Sequence, residues 1–280
     1  MAFLLRIVIV ISIILFIIIV IAFIKEKYIY FTQVTTKTVK SIHSFHNYSG
    51  NNVNIAILDS GVDKSHDDFG QNIKKGYNFV KNNFNSEDIN GHGTQVTGVI
   101  SAKDNSFGIK GIAPKAKIYP IVVLNNQSKG KIDDICKGIE WCIDNKMDII
   151  NLSFSTSKDD LNLRRVIKKA NQKGIIIIAS YNNRNKIHSF PAEYKEVFGV
   201  RSNVNKDNIF LKKDIVYAPG KGILTTNLNN RYVFVSGNSI ACAYVTGVVA
   251  LLKEKYCLTK TAFNKENIKN EFERGLYEKN

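Results

Sequence analysis

The longest apolar stretch of the chain comes first: from Ile7 to Ile24 every position is apolar except Ser12. Wound as a helix, that run is roughly 27 Å long, about the hydrocarbon thickness of a bilayer, which predicts a membrane-spanning segment. A cleaved signal peptide would carry a shorter apolar run and a small-residue cleavage site. Here the run ends in Ala22-Phe23-Ile24-Lys25, so an uncleaved transmembrane anchor over residues 1–25 is expected. Residues 26–49 hold few apolar positions and close on Asn47-Tyr48-Ser49-Gly50, reading as a linker into a domain.

Further along, short runs at 53–58, 117–124, 148–154, 175–179 and 197–201 are almost continuously apolar. Half-buried strands would alternate; unbroken runs suit parallel strands covered on both faces. Helical periodicity occupies 93–101, 131–145 and 159–173 between them. The alternation predicts an α/β fold with a doubly wound, mainly parallel sheet and helices on both faces, preceded by the one transmembrane helix. The domain is expected over 50–258, with 259–280 as a tail, a mixed-charge helix or a frayed end. Such sheets place ligands outside the carboxyl ends of their strands, where Asp59 ends the first run.

Composition narrows this picture. With 280 residues, 44% apolar and 22% charged, the chain suits one globular domain plus a short appendage, and neither disorder nor a multi-pass membrane protein. The formal charge of +15 would suit nucleic acid or an anionic lipid surface. The basic residues are dispersed, however, and the densest group, Arg164, Arg165, Lys168, Lys169 and Lys173, lies on one face of a helical pattern with no recognition module beside it. A solvated face is the simpler reading, so no nucleic-acid partner is expected. The four cysteines lack zinc spacing, and Cys136 and Cys142 share a helical stripe too far apart to bridge, so both are expected as buried thiols.

Three segments carry candidate chemistry. Ile55-Ala56-Ile57-Leu58-Asp59-Ser60-Gly61 runs a buried strand into an acid and a glycine turn. Asn90-Gly91-His92-Gly93-Thr94 flanks a histidine with glycines at a helix start, and Ser236-Gly237-Asn238-Ser239-Ile240-Ala241 sets a serine at the mouth of a small-residue helix. Singly, each is ordinary: a turn acid, a tight turn, an N-cap. Together they supply acid, base and nucleophile. A serine hydroxyl attacks a carbonyl only as a base removes its proton, and the base needs its other ring nitrogen held. Asp59, His92 and Ser239 are the candidates for those roles.

These segments resemble the Asp, His and Ser signatures of the subtilisin family, the subtilases, over about residues 50–255. Gly111-Ile112-Ala113-Pro114 and Tyr217-Ala218-Pro219-Gly220 resemble further family turns. The resemblance implies a serine endopeptidase acting through an acyl-enzyme on a peptide or protein substrate, with an oxyanion-binding asparagine at Asn183 in preference to Asn182. It implies a substrate-binding strand at Ser153, Phe154 and Ser155, with Tyr181 and Asn182 forming a pocket wall. Ser155 and Tyr181-Asn182 replace smaller family residues, which points to a narrowed cleft and a selective processing enzyme. Asn238 and Ala243 also depart from the family's Thr and Pro, which leaves open a catalytically inactive peptide-binding scaffold. Lys103-Asp104-Asn105-Ser106-Phe107-Gly108-Ile109 resembles the family's calcium loop, so a structural Ca2+ held by Asn105 and Asp68 is expected, with no redox or organic cofactor. The short linker implies folding without a propeptide.

A single-pass protein of the cell membrane, monomeric, is the expectation. Its orientation stays open. Lys25, Lys27, Lys37 and Lys40 follow the apolar run while Arg6 precedes it, which favours a cytoplasmic domain; secreted members of the family point outward.

Overall fold

In a computed structural model, residues 2–31, 45, 47–183, 188–203 and 208–274 are described, excepting the side chains of 2–5, 8 and 25–31. Helix α1 (Ala2–Phe31) is apolar and exposed on every side through its described residues. Among the described residues no helix is long and apolar enough to cross a membrane. The side chains described without a break along α1 are those of residues 9–24, short of the roughly 17 residues that the shortest spanning helices need.

The domain is built on an eight-stranded sheet. Its strands are β1 (Asn54–Asp59), β2 (Tyr77–Asn78), β3 (Lys117–Val122), β4 (Ile149–Leu152), β5 (Ile176–Ser180), β6 (Val197–Asn203), β7 (Phe210–Lys212) and β8 (Ile215–Pro219). They lie in the order β2-β3-β1-β4-β5-β6-β8-β7, and every pair is parallel except β7 with β8. A separate hairpin joins β9 (Ile223–Asn227) to β10 (Arg231–Val235).

Strand β1 shows why the apolar runs are unbroken. Its side chains alternate between faces, and both faces are core. Ile55 and Ile57 pack with α2 (His92–Ser101), α5 (Asn238–Leu258) and α6 (Lys265–Arg274). Ala56 and Leu58 pack with α3 (Ile132–Asp144) and α4 (Leu161–Gln172) on the other side. Cys136 and Cys142 are buried in that second layer as thiols.

The three helices expected within the domain before residue 180 form within two residues of their anticipated bounds, whereas β4 stops at Leu152 rather than 154. Residues 259–280, read as a tail, include α6, which buries Ile268 and Phe272 against the core.

Candidate active site

The carboxyl ends of β1 and β4 and the amino ends of α2 and α5 meet at one edge of the sheet. Asp59, the last residue of β1, is fully buried. His92 opens α2 and sets Nδ1 2.8 Å from Asp59 Oδ1 and 2.9 Å from Oδ2. The Asp59 charge raises the His92 pKa, against an opposing effect of burial, and Asp88 adds a smaller push in the same direction.

Close packing makes this approach possible. A Cβ on Gly93 would fall 2.1 Å from the Gly61 carbonyl oxygen, so the first turn of α2 crosses the turn after Asp59 only because Gly93 has no side chain. Ser60 closes the joint: its Oγ accepts from Gly93 N–H at 3.0 Å, while its own N–H donates to Asp59 Oδ1 at 2.7 Å.

Asp88 anchors the helix start. One oxygen accepts from the N–H groups of Asn90 (2.9 Å) and Gly91 (3.0 Å), and the other from Thr94 N–H (2.9 Å) and Oγ1 (2.7 Å). A buried carboxylate here answers the unpaired N–H groups and the positive end of the α2 dipole. An Asp six residues before a helical Thr is too common a spacing for sequence reading to single out.

Ser239 sits in the first turn of α5, after Gly237 at φ 151°, a conformation that favours glycine. Its backbone N–H belongs to the helix's first turn, where no intrahelical acceptor exists. The position a Cβ would take at Gly237 lies 3.7 Å from Ser239 Oγ and 3.7 Å from both amide atoms of Asn183, so hydroxyl and amide flank one small space. Asn183 Oδ1 accepts from Asn238 N–H at 3.0 Å, leaving Nδ2 as its donor end.

Asn238 ties this corner together. Its buried side chain accepts from Ser202 N–H on β6 at 2.7 Å and donates to the carbonyls of Tyr181 and Asn182, each at 3.1 Å. From below, Asn151 on β4 donates to Thr246 Oγ1 (2.8 Å) and accepts from Ser153 Oγ (2.8 Å), and that hydroxyl lies 3.2 Å from Ser239 O. One turn beyond Ser239, burial pushes the Cys242 thiol up to about 12 and the Asp59 charge contributes, so the helix that carries Ser239 and the Asp59 carboxylate are neighbours.

His92 and Ser239 are not hydrogen-bonded to each other among the described contacts. Among the described residues the Ser239 hydroxyl has no hydrogen-bond partner, while imidazole and carboxylate are already joined.

A sequence profile described as the subtilase family matches residues 50–273. The chain belongs to the subtilase family of serine peptidases. It is 36% identical over 214 residues to the minor extracellular protease Epr of Bacillus subtilis, covering 74% of this chain and 33% of that protein. It is 36% identical over 221 residues to subtilisin E of the same organism (75% and 57%) and 34% identical over 220 residues to subtilisin DY of Bacillus licheniformis (75% and 79%). The chain thus spans a third to four-fifths of the length of these relatives.

The other positions expected in a subtilase are placed as follows. Ser153, Phe154 and Ser155 leave the ladder at the end of β4, and pairing resumes only at Thr156, which exchanges two 2.8 Å hydrogen bonds with Phe190. The Tyr181 ring is held against β6, beneath the Arg201 guanidinium at 4.1 Å and tight on Gly199. Asn182 donates its N–H to the buried Ser189 Oγ at 3.0 Å.

Subtilases commonly bind structural calcium. The expected pair lies together, with Asp68 fully buried and Asn105 Nδ2 3.4 Å from its Oδ1. Asp68 Oδ2 accepts from Ile109 N–H at 2.9 Å, and Asn105 Oδ1 accepts from Phe107 N–H at 3.2 Å. Burial raises the Asp68 pKa. Calcium takes six to eight oxygens, and here one carboxylate is engaged by donors while the amide oxygen is turned to the backbone, so the side chains as arranged do not fit it. Among the described residues no group of three or more His, Cys, Asp or Glu side chains could hold a metal ion.

Proposed function

We propose that this subtilase is an active endopeptidase in which Ser239 is the nucleophile, His92 the general base and Asp59 its orienting acid. Substrate binding brings Ser239 Oγ and His92 Nε2 within hydrogen-bond reach, as catalytic contacts left long in a free enzyme tighten in the complex. The hydroxyl proton passes to Nε2 as Oγ attacks the peptide carbonyl, and Asp59 stabilises the imidazolium through Nδ1–H. Asn183 Nδ2 and the Ser239 N–H receive the oxyanion. The imidazolium then protonates the departing amine, leaving an ester on Ser239 that water hydrolyses by the same exchange. The joined Asp59–His92 pair beside the Ser239–Asn183 corner is the observation that carries this reading.

Substrate lies along residues 153–155, where backbone leaves the ladder and can pair with an added strand. The wall from Tyr181 to Asn183 is tied to Ser189, Arg201 and Asn238, a rigid arrangement that suits a selective processing enzyme acting on peptide precursors or membrane-proximal proteins. A peptide-library digest by the full-length protein tests this. Cleavage confined to a few sequence contexts and lost in Ser239→Ala is expected. Cleavage at most peptides would remove the selectivity, and none at all would favour an inactive peptide-binding scaffold.

The α1 helix serves as a single-pass anchor in the cell membrane. A helix apolar on every face has no side to give to water, and the 7–24 run is long enough to span with little tilt. Flotation of the full-length protein with liposomes in high salt and in alkaline carbonate is the expected result, and release by either would exclude insertion.

A further inference from the structure

The parallel strands all begin at one edge of the sheet and end at the other, with Asp59 at the ending edge. At the beginning edge, lysines stand just ahead of successive strands: Lys115 before β3, Lys146 before β4, Lys173 before β5, Lys195 before β6 and Lys213 before β8. All five are exposed, and none is paired with a carboxylate among the described residues. Six neighbouring strands, β3 to β8 across the sheet, span roughly 24 Å at the usual spacing, so the charges form a row rather than a spot.

The acids at this edge do not cancel the row. Asp148 is held by Lys253 at 3.1 Å and by Asn54 N–H at 2.9 Å, and Asp214 by Lys269 at 2.7 Å. Glu254 accepts from the N–H groups of Ser49 and Gly50 but keeps its charge, so Asp144, Glu196, Glu254 and Glu266 stand against the five lysines of the row and Lys265, which sits at the Lys195 carbonyl.

The chain also comes into the domain here. Lys115 N–H donates to Ser49 O at 2.8 Å and Lys117 N–H to Val53 O at 2.8 Å, so the segment arriving from α1 joins the fold within the lysine row.

We propose that the N-terminal edge of the sheet is a docking surface for anionic phospholipid headgroups, so that the domain rests on the bilayer with its Asp59–His92–Ser239 edge turned away. The inference rests on the membrane anchoring of α1 and not on peptidase activity. Lysine ammonium groups near an anionic leaflet are attracted over about a Debye length, ~8 Å at physiological salt, which limits the effect to groups at this edge. An outward-facing active site would then select protein segments standing clear of the lipid.

The test uses full-length protein in liposomes of phosphatidylcholine alone or with phosphatidylserine, trace-labelled with an amine-reactive reagent and read lysine by lysine by mass spectrometry. With phosphatidylserine, Lys115, Lys146, Lys173, Lys195 and Lys213 should react at least roughly threefold more slowly, an effect that high salt removes. Lys129 and Lys158, exposed at the opposite edge, should react alike on both. Equal reactivity of the five on the two kinds of liposome, with the protein still floating in high salt, would overturn the docking surface while sparing the anchor. Failure to float with either kind would overturn both.

Discussion

At the residue scale, the chemistry depends on how few contacts hold each reacting group. The raised pKa of His92 has an opposite sign for activity and for stability. As a base His92 must be neutral, so kcat/KM should climb with pH about a midpoint above 6.5, the ordinary value for His. The Asp59–His92 attraction contributes stability fully below the unfolded-state pKa and loses it as pH rises through the folded value, the same range in which activity appears. In Asp59→Asn the midpoint should fall and kcat drop about 10⁴-fold, measured by a pH–rate profile. Asn183→Ala should cost about 3 kcal/mol in kcat, the size known for the oxyanion-hole asparagine of subtilisin. Asn238 acts through its neighbours: Asn238→Ala frees Ser202 N–H and two carbonyls, and should lower kcat by about tenfold with a smaller change in KM. Asn238→Asp, keeping the acceptor alone, should fall between. Equal losses in kcat and thermal stability with no such ordering would make Asn238 merely structural.

At the element scale, α2 is aimed by a residue outside it. Asp88→Ala removes four acceptor contacts from the start of the helix and should destabilise the fold by about 2 kcal/mol, read from denaturant midpoints. The loop at Asp68 and Asn105 is closed by Ile109 and Phe107 N–H groups, so a chelator should leave the thermal midpoint unchanged in scanning calorimetry; a substantial drop would mean that the amide turns to admit calcium. Much of this was legible beforehand. The unbroken runs at 53–58 and 175–179 announced buried parallel strands because each face meets a helix layer. The early end of β4 was not legible, since Ser153 and Phe154 have ordinary strand composition and only the missing neighbour strand shows that their backbone is unpaired. The β9–β10 hairpin escaped because the sequence there mixes polar and apolar residues without a clean period, and the tail left a mixed-charge helix and a frayed end equally open, of which α6 is the first.

On the scale of the whole molecule, two ends of one sheet divide the labour. One end gathers acid, imidazole, hydroxyl and amide where strands finish and helices begin. The other receives the linker and a row of lysines. Net charge by itself did not reveal that row, because its members are far apart in sequence and only the strand order β3-β1-β4-β5-β6-β8 brings them into line. The candidate triad residues stand out by their glycine-rich settings and Asn238 by its departure from the family's Thr, whereas Asp88 and Ser189 emerge only as partners of other groups.

The most direct test of the central claim is to treat the full-length protein with a fluorophosphonate and map the adduct by mass spectrometry. A single phosphonyl adduct on Ser239, formed by the unmodified protein and lost in His92→Ala, is expected. No adduct, or an adduct that forms equally fast without the imidazole, would contradict a hydroxyl activated by His92.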